Sequence, residues 1–212
     1  MTWTETFSAS STSLKVSMAL APIQALIYII GYSTNYWVTA KVTPVNTGSL
    51  GDGDSMSGLF NKLGFESYKG LWGSNICMLG QYQTSEFGSM PDWLHVTRMF
   101  ATLALIGFVV TIVGVFVCLF VTQLSQRQIL HILTCVVATS TAVCVLIAVI
   151  IYGTQYNNPD QLFPIQTDKD IFWSYGLCVA ALILDIITSI LLAINAQKNH
   201  MVYFSSYINF LL

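Results

Sequence analysis

Ionisable and metal-ligating residues are few in this chain, and their spacing limits the chemistry they support. The histidines His95, His131 and His200 lie in separate segments, and neither a His-x-x-x-His nor a Cys-x-x-Cys pair occurs. Zinc sites commonly draw on such closely spaced ligands, and a nucleophilic site needs a base within hydrogen-bond reach of the nucleophile. There is no glycine-rich phosphate loop, serine elbow or paired carboxylate set. Asp52-x-Asp54 has the look of a calcium loop. The pattern fails, because Met56 takes the third ligand position, Ser57 stands where glycine is required and Leu63 replaces the closing glutamate. The segment from Gly48 to Gly58 therefore reads as a flexible, solvated loop. No catalytic residue, cofactor site or metal site is expected, and the chain is not expected to be an enzyme.

One polar pair survives this filter. Asp185 is the single charge within a long apolar run, and Gln24 lies in another such run. A carboxylate at the centre of a membrane costs about 2.5–3.5 kcal/mol on insertion scales, so it demands a reason. A proton or ion relay needs a second titratable group within the membrane, and none is present. Asp185 and Gln24 sit at similar depths on their helices, so an interhelical hydrogen bond between them is expected.

The elements that position these residues follow from composition. The chain has 212 residues, 54% hydrophobic and 8% charged, against about 25% charged in soluble domains. So few charges cannot cover a water-soluble globule. Eight Lys and Arg residues also leave no basic patch for nucleic acid. A membrane-spanning helix takes about 20 apolar residues, and four stretches qualify: about 16–34, 99–122, 132–152 and 171–194. Together they form one four-span membrane domain over residues 1–212, with lipid as its first partner. The first stretch follows a long segment containing Glu5 and is interrupted by Pro22 and Gln24, features of a retained helix rather than a cleaved leader. Two large loops, about 35–98 and 153–170, share one side of the membrane. Basic residues are denser on the side of the termini, which leans towards cytoplasmic termini.

Small and polar residues recur at helical spacing on every span: Ser17, Ala21, Gln24, Tyr28 and Gly31 on the first; Gly107, Thr111, Gly114 and Cys118 on the second; Thr134, Ala138, Thr141 and Ala148 on the third; Ser174, Cys178, Ala181, Asp185 and Thr188 on the fourth. Such stripes let helix backbones approach closely, and a period near 3.5 implies a left-handed four-helix bundle. The first loop holds a β-prone run, Val38–Val45, and interleaved aromatic and turn residues from Tyr68 to Tyr82. A small antiparallel sheet of three or more strands is expected beside the helices. The fold class is thus an all-α membrane protein with a small β-sheet outside the bilayer.

Trp37, then Gly70-Leu71-Trp72, Cys77 and Arg98 at the mouth of the second span resemble the first extracellular loop of the claudin superfamily. That group takes in claudins, peripheral myelin and epithelial membrane proteins, the lens fibre membrane protein and regulatory subunits of receptors and channels. Tyr156-Asn157-Asn158-Pro159 is similar to the turn of claudin second loops, and Phe172-Trp173-Ser174-Tyr175-Gly176 to the start of the family's last helix. The resemblance implies cytoplasmic termini, extracellular loops and residence in the plasma membrane at cell junctions. It also implies self-association within one membrane and between opposed membranes. In claudins the charges of the first-loop sheet select ions. The corresponding acids here are Glu66, Glu86 and Asp92, with Lys62 and Lys69 opposing them. The receptor- and channel-associated branch implies a second role, an auxiliary subunit that clasps a larger membrane protein.

Two departures stand out. The family pairs two cysteines in this loop, whereas Cys77 is followed by none before Cys118. Cys77 is then a free thiol, a bridge to another molecule, or a lone buried residue, and the loop lacks a staple worth about 2–4 kcal/mol. The spacing from Trp37 to Gly70 is also longer than in claudins. After Lys198 the chain runs aromatic-rich through Phe210 to Leu212. It reads as an interfacial segment at the membrane, or as a C-terminal peptide offered to a PDZ groove.

Overall fold

The computed structural model describes residues 10–42, 65–78, 81–85, 91–120, 128–156 and 168–211. In chain order these form α1 (Thr12–Ser33), β1 (Val38–Val42), β2 (Phe65–Lys69), β3 (Ser74–Met78), β4 (Gln81–Ser85), α2 (Asp92–Phe120), α3 (Gln128–Gln155), β5 (Asp168–Ile171) and α4 (Trp173–Leu211). Among the described residues, four stretches are long and apolar enough to cross a membrane: Thr12–Ser33, Asp92–Phe120, Ile129–Gln155 and Trp173–Lys198.

Local chemistry moves several boundaries away from the hydropathy reading. Helix α1 starts before Val16 because Ser11 caps it, its hydroxyl accepting from the Leu14 amide at 3.4 Å. Helix α2 starts at Asp92, not near Met99. The polar run from Asp92 to Arg98 carries no hydropathy signal, yet an acid in the first turn suits the helix dipole. Ile171 is not helical. It ends β5, and only at Trp173 does α4 begin. The backbone of α4 then stays helical to Leu211, well past the apolar stretch.

Contacts divide the chain into two compact units. The first comprises residues 1–29, 99–147 and 179–212. Every small or polar stripe residue that falls in it is buried or half-buried. A Cβ on Gly114 would lie 2.8 Å from Thr134 Oγ1, and one on Gly107 would collide with Thr141. These helices touch at backbone distance, as small residues allow. Some of the hydroxyls brought inside bond to their own helix: Thr134 and Thr141 each donate to the carbonyl four residues back at 2.9 Å, and Thr188 shares its one proton between Leu184 O and Gln24 Oε1. Tyr28, 1% exposed, donates to the Ala101 carbonyl at 2.8 Å and packs its ring 4.9 Å from Phe108. Near the other end of the unit, Leu14, Val115, Leu119, Ala138 and Leu192 form a closed apolar cluster. There Ser11 donates to Asn195 Oδ1, and the Asn195 amide lies 3.1 Å from His131 Nδ1, which links α1, α4 and α3. Large aliphatic side chains such as Leu26, Ile106, Val113, Leu133 and Ile183 face outward, as a bilayer requires.

The second unit comprises residues 30–98 and 148–178. Its centre is a five-stranded antiparallel sheet in the order β4-β3-β2-β1-β5. Strand β1 pairs with β2 of its own loop, Val38 opposite Lys69, and with β5 of the other loop, Val38 opposite Ile171. Backbone bonds from Phe172 N to Trp37 O (2.8 Å) and from Ser174 N to Tyr36 O (3.1 Å) extend that pairing to the first turn of α4. Ser174 and Thr34 add a hydroxyl pair at 2.7 Å. Both loops thus enter one sheet.

Candidate functional site

The best-formed feature of the second unit is a corner built by residues far apart in the chain. Trp37 directly precedes β1 and is 1% exposed. Its indole N–H donates to the Gly31 carbonyl at 2.7 Å, and its ring lies tilted 4.7 Å from Tyr152 and edge-on 5.8 Å from Tyr175. Between β2 and β3 the chain turns through Gly70-Leu71-Trp72-Gly73, closed by a 3.0 Å bond from Gly70 N to Gly73 O. A Cβ on Gly70 would collide with the Asn35 backbone and come within 2.6 Å of the Thr34 carbonyl, so only glycine fits there. Leu71 is fully buried. Trp72 donates its indole N–H to Tyr32 O at 3.1 Å and lies edge-on to the Tyr32 ring. Arg98, in the second turn of α2, donates from Nε to Leu71 O at 2.6 Å and places its guanidinium 5.0 Å from the centre of the Trp72 ring. One side chain therefore joins a helix to a loop by a charge-assisted bond and a cation–π contact.

Trp37, Gly70, Leu71, Trp72 and Arg98 converge on this corner. Cys77 does not. It lies half-buried on β3, opposite Glu66 and Tyr82 in the register. All five cysteines, Cys77, Cys118, Cys135, Cys144 and Cys178, are free, so no disulfide holds the sheet.

The antiparallel register sorts charge between the two faces of the sheet. Lys41 and Glu66 are directly opposed, and their ion pair measures 3.2 Å. Tyr68 donates its hydroxyl to the other Glu66 oxygen at 2.7 Å. That hydroxyl first, and Lys41 second, hold the Glu66 carboxyl below its usual range. Asp170 occupies the same face beside Thr39, and Asp168 stands opposite Lys41 in the register. Lys69 belongs to the other face, in line with Val38 and Ser74. It is half-buried; loss of water, and then the nearby Lys169 charge, push its pKa down to about 8. Lys69 therefore does not oppose Glu66. Asp92 is exposed in the first turn of α2 and is no part of the sheet. Lys62, Glu86, the Gly48–Gly58 segment and Asn157 to Pro159 lie outside the described residues. Sequence reading missed Lys41, Lys169 and Asp170; period-two alternation opposite Glu66 was the available signal for Lys41.

In the first unit, Gln24 Nε2 donates to Asp185 Oδ1 at 3.0 Å, and Thr188 donates to Gln24 Oε1 at 2.9 Å. All three side chains are fully buried. Among the described residues no group of His, Cys, Asp and Glu could hold a metal ion.

The sequence that folds into these four spans and this sheet is matched by a family model. The model described as PMP-22/EMP/MP20/Claudin tight junction matches residues 23–194. The chain belongs to this family. It is a claudin-like tetraspan membrane protein of the junction class. No curated protein sequence matches it significantly. All of its cysteines are free, and the corner is held by the buried Trp37 and Leu71 and by Arg98 bonded to Leu71 O.

Proposed function

We propose that this claudin-family protein organises contacts between cells and sets the permeability of the space between them. Its termini lie in the cytoplasm of this arrangement, and its sheet lies outside the plasma membrane. The observation that carries the reading is the pairing of β1 with β5. It makes one continuous surface of the two loops, suited to meeting copies in the same and the opposed membrane. The face bearing Lys41, Glu66 and Asp170 is predominantly acidic and would favour cations passing alongside it. Asp185 and Gln24 serve packing in this account rather than ion transfer. The helical backbone of α4 to Leu211 supports an interfacial tail over a PDZ-binding strand, which must be extended.

The test is expression of the full-length protein in epithelial cells that lack junction strands, with transepithelial resistance and sodium/chloride dilution potentials as readouts. A change in resistance with a cation preference that falls in Glu66→Lys is the expected result. Unchanged resistance, together with co-purification of a channel or receptor, would favour the auxiliary-subunit role, to which the long first loop also lends itself.

A further inference from the structure

Four aromatic rings meet on the acidic face of the sheet, beside the end of α1 and the start of α4. Tyr68 stands on β2 and Phe172 just past β5, on either side of β1, yet their ring centroids are 5.5 Å apart. Strands two places apart in a sheet are separated by about 10 Å, so these rings lean together across β1. Tyr36 completes a triangle, its centroid 5.2 Å from Tyr68 and 6.1 Å from Phe172. The three rings are inclined to one another by 46° to 62° and so form a shallow cup rather than a stack. Trp173 extends it, stacked on Tyr36 at 5.6 Å. The strand between them is covered: Thr39, opposite Tyr68 and Asp170 in the register, is 4% exposed. The cup itself is open to the outside, with Trp173 45% exposed and the other three rings half-buried.

We infer that Tyr36, Tyr68, Phe172 and Trp173 hold the choline headgroup of a membrane phosphatidylcholine. A point about 3.5 Å above the plane of the three triangle centroids is about 5 Å from each, inside the roughly 6 Å over which a ring attracts a cation. The charge around the cup complements a cation. Positions of this face in the five strands hold three acids, Glu66, Asp168 and Asp170, and one base, Lys41. Lys41 is one row further from the rings and is ion-paired with Glu66 at 3.2 Å. Asp170 is exposed, shares the row of Tyr68 and precedes Phe172 by two residues. Tyr68 also donates its hydroxyl to Glu66 at 2.7 Å, which draws electron density into its ring. A quaternary ammonium brings no N–H that needs an acceptor, so ring faces and a nearby carboxylate suffice to bind it. The place of the rings in the chain favours lipid over a free ligand. Trp173 is the first residue of the apolar stretch Trp173–Lys198, and Tyr36 follows the stretch Thr12–Ser33 by three residues. Tryptophan and tyrosine so placed lie at the level of lipid headgroups. The inference does not depend on a junctional role.

The test uses purified full-length protein in a maltoside detergent, with native mass spectrometry to count retained lipid. The probes are phosphatidylcholine and its isostere in which carbon replaces the ammonium nitrogen, equal in shape but without the positive charge. The wild type should retain phosphatidylcholine over the isostere, and equal retention of the two overturns the proposal. Replacing Phe172 by trifluorophenylalanine keeps the shape of the side chain and removes the negative charge of its ring face. Retention should weaken by about two- to fivefold, the worth of one cation–π contact at an exposed site, with thermal stability unchanged. Undiminished retention overturns the site. The same replacement at Phe108, which packs on Tyr28 among the helices, should leave retention as it was; an equal loss there also overturns the proposal. Displacement of the lipid by millimolar free phosphocholine overturns the lipid assignment.

Discussion

Replacing Gln24 with leucine should destabilise the helices more than the sizes of the two side chains suggest, and removing Asp185 as well should restore part of the loss. Gln24 donates to Asp185 Oδ1 at 3.0 Å and accepts from Thr188 at 2.9 Å, and Asp185 Oδ2 has no other hydrogen-bond partner. Interhelical hydrogen bonds in membranes are worth about 0.6 kcal/mol on average and up to ~1.7, so losing two costs about 1–3 kcal/mol. Gln24→Leu also strands a fully buried carboxyl with neither oxygen bonded, a further penalty of about 1–3 kcal/mol. Asp185→Leu alone strands the Gln24 amide N–H groups at a similar cost. In the double variant neither group is left behind. Thr188 still bonds to Leu184 O at 2.9 Å. The double variant should therefore fall about 1–3 kcal/mol short of the sum of the singles, the signature of a directly coupled pair. Asp185→Asn keeps an acceptor for Gln24 and should lose less than about 1 kcal/mol. The assay is reversible unfolding of the full chain in bicelles for wild type and the four variants. Single effects that add to within about 0.5 kcal/mol would refute the reasoning.

Three further outcomes follow from the second unit. Gly70→Ala forces a Cβ into the Asn35 backbone and Thr34 carbonyl; a loss of about 1–3 kcal/mol and reduced surface delivery are expected, and a fully delivered, equally heat-stable variant would contradict the corner's geometry. Arg98→Lys keeps the charge but loses the Nε bond to Leu71 O and the stacked guanidinium over Trp72. Amide exchange in β2 and β3 should accelerate by about tenfold, and unchanged exchange would show that Arg98 does not secure the loop. Lys69 has a pKa of about 8 when folded against an ordinary 10.5, so between these values the unfolded chain binds more protons. Thermal stability should rise with pH across that window relative to Lys69→Met, with no difference in slope below it; parallel curves would mean that Lys69 is solvated.

Much of this architecture was legible in the residues themselves. Asp185 and Gln24 stood out because a charge within the membrane needs a polar partner, and Trp37, Gly70, Leu71, Trp72 and Arg98 because together they resemble the first-loop motif of the claudin family. Helix ends were harder to read. Ser11 and Asp92 act through caps and dipoles, which leave no trace in hydropathy, so α1 and α2 begin earlier than the apolar runs. Strand β5 escaped altogether: Asp168-Lys169-Asp170-Ile171 shows no apolar alternation, and its partner β1 lies far away in sequence. With β5 unseen, the partition of charge between the two faces was unseen too, and Lys69 was set against Glu66 on the wrong side.

The central claim is that the shared sheet meets other copies of this chain across cell contacts. It is tested most directly by localising tagged full-length protein in mixed cultures of expressing and non-expressing cells that have no junction strands of their own. Enrichment confined to borders between two expressing cells is the expected result. Uniform surface staining, or equal enrichment at borders with non-expressing cells, would contradict it.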